Sequence, residues 1–379
     1  MRLLRWEMGR LFRLPALWVF LALCLGFNGF LMAVSGDGRA AFRFASETAA
    51  ALGQQVDEGF LRALGQRADS PERDALLAAA SGLEDPLETY DTAALAQRYG
   101  ILLEHSAAER WMEGKYRRLS AQVERLAREN AAMNLYAGPA TDESHDFLFG
   151  TLLHAVQAEA CLLAVLAALY LPGRETAART EGLVYSTRTG RRLRSRKALA
   201  ALLAGLLLEL LLLIPTLGVY FCLWDYGGVW SASVSSQFHS VREVFGVKPF
   251  LTWTSFSVAG YLAATLLLGL ALTAVFSLLA SCCAALVRNT YAAALAVTAL
   301  CVAMPAAALA CSDLDLWPLY YAATLQPVLL WLLQGGWFTD LGINAVLPWH
   351  ETVGTAFNLL LWGGALLLAL RHGAGKDLI

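Results

Sequence analysis

The sequence predicts an all-α, multi-pass membrane protein. It has six transmembrane helices, a helical extracytoplasmic insert after the first, and broken, re-entrant helices before the last. Three observations carry this. The 379 residues are 57% hydrophobic and only 16% charged, where soluble domains run at about 25% charged. Several uncharged runs are long enough to cross ~30 Å of hydrocarbon. The short connections between them divide into a basic set and an acidic set, as the positive-inside rule requires. The net charge of −2 says little, because it averages over compartments.

Residues 1–13 place Arg2, Arg5, Arg10 and Arg13 among Leu3, Leu4, Trp6, Met8, Leu11 and Phe12. This predicts a short amphipathic helix on the inner surface, with the arginines toward acidic lipid. A plain basic flank orienting the first span is the simpler alternative. Residues 14–34 form an uncharged run, too long for a signal-peptide core, and read as an uncleaved first span.

Residues 35–146 differ in kind. From Asp37 to Asp146 there are 19 acids and 12 bases, with no run of membrane length. Ala, Leu, Arg, Glu and Gln favour helix. The clearest helix runs from Ser106 to Met133, with Ser106 and Glu109 as a capping box and Trp111, Tyr116, Leu119, Val123, Leu126 and Asn130 at helical spacing. Pro71, Gly82, Pro86 and Gly100 divide the earlier part into shorter helices. The expectation is a small helical domain on the outer face with its own core.

Residues 147–171 are the second span, 172–197 a cytoplasmic loop, and 198–371 hold spans three to six. The 249–287 stretch is uncharged and longer than one span needs, so Trp253, Thr254, Ser255 and Ser257 should approach the membrane at its interface. The fifth span contains Pro305. The 313–351 segment has no Lys or Arg and is broken by Pro318, Pro327 and Gly335-Gly336. Each half is too short to span, which favours re-entrant or outer-leaflet helices over one tilted span. Trp317, Trp337 and Trp349 are expected in an aromatic belt. Residues 372–379 are a basic cytoplasmic tail.

The 172–197 loop carries Arg174, Arg179, Arg188, Arg191, Arg192, Arg194, Arg196 and Lys197 against Glu175 and Glu181. The outer loops 225–248 and 313–351 hold only Arg242 and Lys248. Six spans with both termini cytoplasmic satisfy this distribution.

No sequence matches GxxxxGK[ST], HExxH or GxSxG, and Gly373–Asp377 (GAGKD) ends in Asp and follows no strand. No catalytic residue, no resident cofactor and no nucleic-acid partner is expected. The seven cysteines all fall in apolar runs without CxxC spacing, which argues against a zinc site or a disulfide framework. Cys222 and Cys311 both fall near the outer face. Glu143, His145 and Asp146 form a small cluster beside the second span, read as a solvated flank before a metal site.

Glu159 and Glu209 are the notable intramembrane charges. One lies 12 residues before Leu171 and the other 12 after Lys197. Adjacent antiparallel helices would place both near the midplane. They read as a polar pathway or shared-proton pair, or as packing hydrogen bonds with His154 or Gln157 as partner.

Within the loop, Glu175 or Glu181, then Gly182, Leu183, Ser186, Thr187, Gly190, Arg191 and Lys197, follow an acid–Gly–Leu–Ser–Gly-Arg–Lys order. This resembles the permease subunits of ABC transporters of the type-2 exporter class. The match in residues is confined to this loop, while the match in layout covers most of the chain. Thr187-Arg188-Thr189 replaces the family's usual Ser-x-Pro, which is similar to permeases of Gram-positive bacteria.

The resemblance implies an export permease in a bacterial plasma membrane, paired with a second permease chain. It implies coupling to a cytoplasmic ATPase that carries the ATP, through Glu175, Arg179, Glu181, Gly182, Ser186 and Arg191. A membrane sensor, whose 37–146 domain binds an external ligand and signals through the loop, is the alternative from another class. An intramembrane enzyme using Glu159 and Glu209 is a third.

Overall fold

The computed structural model describes residues 2–36, 38–103, 107–177, 190–243, 245–287 and 289–375. Six helices in it are long and apolar enough to cross a membrane, beginning at Pro15, Gly138, Leu193, Val258, Thr290 and His350. The chain is thus an all-α, multi-pass membrane protein. Its only named strands among the described residues are Ser240–Glu243 and Gly246–Pro249, a small antiparallel hairpin with Val241 opposite Lys248.

The second, third and fourth spans form the centre, and the first, fifth and sixth lie outside them. The first span, Pro15–Val34, shows how one apolar helix chooses a face. Leu17, Leu21, Cys24, Asn28 and Met32 are buried at steps of three and four, while Val19, Leu23, Phe27 and Phe30 are exposed. Every position on both faces but Asn28 and the glycines is a good lipid-facing residue, so only contact with the second and third spans distinguishes them.

The two ends of the bundle differ. At one end the helix Arg2–Leu11 packs on the third span, and Lys197 donates to the Leu171 carbonyl at 3.0 Å. Gly173 presses on Thr290: a Cβ there would lie 2.3 Å from its Oγ1. At the other end, the insert, the 225–257 loop and the 314–349 segment pack together. Gly228 donates to Ser46 Oγ at 3.0 Å, Ser240 to Asp142 at 2.8 Å, and Trp253 Nε1 to the Thr339 carbonyl at 2.7 Å.

The insert is built from the helices Arg39–Leu52, Glu58–Gly65, Pro71–Ala80, Thr92–Leu102 and Ala107–Arg128. Asp57, Ser70 and Asp91 cap three of them through their side-chain oxygens. Ser106, the expected cap of the last, lies outside the described residues. That helix ends at Arg128, five residues before the expected Met133. Asn130 takes a left-handed conformation with φ 49°, Ala131 donates to the Leu126 carbonyl and Asn130 to that of Ala127, both at 3.0 Å. This is a Schellman termination.

The expected separate core of the insert is divided. Phe42, Phe60, Leu64, Leu76 and Tyr136 belong to the same apolar cluster as the spans. Tyr99, Met112, Tyr116, Leu119, Val123 and Leu126 form a second cluster, closed by Leu251, Trp317 and Tyr321 from elsewhere in the chain. The apolar faces of the insert helices pack against the bundle end on one side and against the 250–257 and 314–349 segments on the other, so no interior is left to the insert alone.

A π-helical turn, Asp146–Leu152, joins the insert to the second span. The fourth helix begins only at Val258, where Ser257 Oγ accepts from the Gly260 amide. Residues 250–257 before it are irregular. Short helices Trp317–Ala323 and Pro327–Leu332 follow the fifth span, each opened by its proline. Trp337 does not join an interfacial belt. It is fully buried, and its indole N–H donates to the Leu330 carbonyl at 2.9 Å.

Candidate functional site

The second and third spans run antiparallel in a register fixed by two contacts. One is the Lys197–Leu171 hydrogen bond. The other is Gly205, where a Cβ would lie 2.9 Å from that of Ala164. This register places Glu159 and Glu209 at the same depth. It does not bring them together, and no hydrogen bond joins them.

Glu159 faces the first span. Asn28 Nδ2 donates to its Oε2 at 2.9 Å and reaches Thr216 Oγ1 of the third span at 3.5 Å. Cys24, one turn before Asn28, is buried on the same face of the first span. Asn28 is fully buried and Glu159 nearly so. One asparagine therefore ties three spans together inside the bundle, where each polar group needs a protein partner.

Glu209 faces the fourth span. Gln157 Nε2 donates to Thr273 Oγ1 at 2.9 Å and to the Gly269 carbonyl at 3.1 Å, and contacts Cys161 Sγ at 3.4 Å. Thr273 accepts from Gln157 on the side of the helix that Glu209 faces. Glu209 Oε2 is buried without a partner. Gly269 is required here: a Cβ on it would lie 2.4 Å from Gln157 Oε1 and 3.4 Å from Glu209 Oε1.

His154 joins neither cluster. Its ring lies 4.4 Å from that of Trp331, whose indole N–H donates to the His154 carbonyl at 3.1 Å. The three intramembrane candidates thus occupy three places. Asn28, Thr216, Gln157 and Thr273 complete the polar layer. An Asn and a Gln inside otherwise apolar runs were the available signal for it.

Glu143, His145 and Asp146 also separate. His145 is buried among aromatic rings, 4.0 Å from His239 and 4.4 Å from Phe149. Glu143 and Asp146 line a cavity of about 370 Å³ with Ser35, Thr151 and Trp224. Among the described residues no group of three or more His, Cys, Asp or Glu could hold a metal ion. The seven cysteines, Cys222 and Cys311 included, are free.

Of the loop residues, Arg179, Glu181, Gly182 and Ser186 lie outside the described residues, as do the side chains of Glu175 and Arg191. The helices on either side of them are described. Leu153–Ala177 continues the second span, and Gly190–Leu223 is one helix of 34 residues. At 1.5 Å per residue the latter is ~51 Å long, against ~30 Å of hydrocarbon. A cavity of about 60 Å³ lies where the spans converge at this end, lined by Pro172, Gly173, Arg194, Lys197, Ser281 and Thr290.

At the opposite end a buried clamp joins the insert to the segment preceding the sixth span. Lys115 Nζ donates to the carbonyls of Asp340 (3.0 Å), Gly342 (2.5 Å) and Ala345 (2.9 Å). Asp340 accepts from Lys248 Nζ at 2.5 Å and from Tyr116 Oη at 2.8 Å. Burial alone would raise the Asp340 carboxyl, but Lys248, Lys115 and these hydrogen bonds hold it below the usual carboxylate range. The turn is sharp: Phe338, Leu341 and Gly342 all have φ between 52° and 63°. Nothing in the local sequence singles out Lys115 from the exposed bases beside it.

Comparison with known proteins returned no matching family, no matching curated protein and no matching solved structure.

Proposed function

We propose that the chain is the permease subunit of an ATP-driven exporter of the ABC type in a bacterial plasma membrane, with both termini cytoplasmic. The observation that carries this reading is the continuity of helix on both sides of residues 178–189. The third-span helix starts at Gly190, about 20 Å of helix more than hydrocarbon requires. A partner pressing on the loop would therefore act on two rigid levers, and these levers are two of the three central spans. The helix Arg2–Leu11 braces them at their base. Glu175, Arg179, Glu181, Gly182, Ser186 and Arg191 would make the docking surface for a cytoplasmic ATPase, which binds the ATP.

A second permease chain would complete the transport unit. The fifth span supports this, because Leu295, Val302 and Leu309 are exposed along its outer side and must meet lipid or another chain. Glu159 and Glu209 would then lie inside each subunit's half of the pathway wall. The sensor reading shares the loop but not the transport. The two differ in one readout, ATP hydrolysis by the partner in response to a transported solute.

The test is co-expression with a cytoplasmic ABC ATPase from the same genome, followed by purification in lipid nanodiscs. The expected result is a stable complex with ATPase activity, lost in the Arg179→Glu/Glu181→Arg variant. Equal recovery and equal activity with the variant would remove the coupling role. A complex without solute-stimulated hydrolysis would favour the sensor.

A further inference from the structure

Between the insert helix Ala107–Arg128 and the short helix Trp317–Ala323 lies a cavity of about 450 Å³. Its walls are mainly apolar: Trp111, Tyr321, Leu325 and Leu347 line it, and Arg110 and Arg118 stand at its edge. The two arginines are eight residues apart on one helix, just over two turns, so they share a face. Both are exposed, and among the described residues neither has an ion pair or a side-chain hydrogen bond. The third cation of the cavity, Lys115, is fully committed to carbonyls in the clamp. The Tyr321 hydroxyl is buried without a partner.

The position is interfacial. Trp317–Ala323 follows the fifth span after three residues, and Leu314, Leu316 and Leu319 are exposed apolar residues there. Trp111 and Leu347 are 43% and 40% exposed in the same region. The sixth span begins at His350, whose Nε2 lies 3.1 Å from the Thr324 carbonyl. A groove with a hydrocarbon floor, an aromatic wall and two unpaired guanidinium groups fits an amphiphile with an anionic head.

We infer that this groove binds an anionic membrane phospholipid. Its phosphate would lie between Arg110 and Arg118, with the start of an acyl chain over Leu325 and Leu347. Such a lipid would bridge the insert and the segment that leads into the sixth span. The inference concerns the outer-end groove alone and does not rest on the transport reading.

The test is native mass spectrometry of the full chain in detergent, with equal amounts of dimyristoyl phosphatidylglycerol and dimyristoyl phosphatidylcholine. The expected result is one retained phosphatidylglycerol, preferred over phosphatidylcholine by at least about tenfold. Arg110→Gln/Arg118→Gln should abolish the preference. Arg118→Lys should keep part of it, and Arg117→Gln, one position off the groove, should leave it unchanged. Because all three arginines are exposed, the thermal midpoints of the variants should equal the parent's, which separates lost binding from lost fold. Equal retention of the two lipids by the parent chain, or an unchanged preference in the double variant, would overturn the inference. So would displacement of the lipid by millimolar inorganic phosphate alone, since the apolar floor would then contribute nothing.

Discussion

Lys115 donates to the backbone carbonyl of Asp340, 225 residues away, while the carboxylate of Asp340 takes Lys248 and Tyr116. Charge and backbone are thus satisfied separately. The ammonium serves three backbone carbonyls of one turn, and the carboxylate has its own cation. A buried lysine is costly unless every proton is placed, and here all three are.

Replacing Lys115 by Met should therefore be among the most damaging single changes outside the bundle. Three carbonyls lose a donor and Asp340 loses a nearby cation. A loss of roughly 3–5 kcal/mol is expected, read as a large fall in the thermal midpoint in detergent. Arg117→Met on the same helix, exposed and without a partner, should change little. Equal effects from the two would show that the clamp is not a stabilising contact.

Glu159 and Glu209 should respond independently. Each faces a different neighbour, Glu159 the first span through Asn28 and Glu209 the fourth span at Gly269. The midpoint losses of Glu159→Gln and Glu209→Gln should add to within about 0.5 kcal/mol in the double variant. A shared proton between the two would give strong non-additivity instead.

Two glycines should resist even alanine. At Gly228 a Cβ would lie 1.9 Å from the Ser46 carbonyl oxygen, and at Gly269 it would lie 2.4 Å from Gln157 Oε1. Each substitution should cost on the order of 2 kcal/mol. Gly363→Ala in the sixth span meets nothing within 4 Å and is the matched control. A thermal midpoint for Gly228→Ala equal to that of Gly363→Ala would refute the close approach of insert and loop.

His239 should produce an acid limb in stability. Burial lowers its pKa from 6.5 to about 4, against a hydrogen bond to the Val234 carbonyl and the charge of Asp142 that act the other way. The neutral ring is the native form, so the unfolded chain binds the extra proton below 6.5. The contribution is complete above 6.5 and is lost as the pH falls from there toward about 4, by roughly 3 kcal/mol in all. His239→Phe should make the fall of the thermal midpoint between pH 6.5 and 4 shallower, without removing it, because His145 and His350 are buried as well. A midpoint that falls as steeply in the variant would assign the limb to other groups.

The sequence by itself determined the number of membrane-length apolar helices, their approximate limits, and that Glu159 and Glu209 lie level with each other. These depend on run length and on counting from a shared loop, which are local quantities. The division of the insert into short helices at Pro71 and the break of the 313–351 segment at Pro318 and Pro327 were legible for the same reason.

Only the tertiary structure decided direction. Glu159 turns to Asn28 and Glu209 to the fourth span at Gly269, Trp337 turns inward, His145 leaves its acidic neighbours for His239, and the insert shares its core with the bundle. In an apolar helix every face suits lipid equally well, so no period in the sequence marks the buried one. The choice is made by small residues that let two helices approach, such as Gly205 against Ala164, and by the few polar atoms that must find a partner once water is gone.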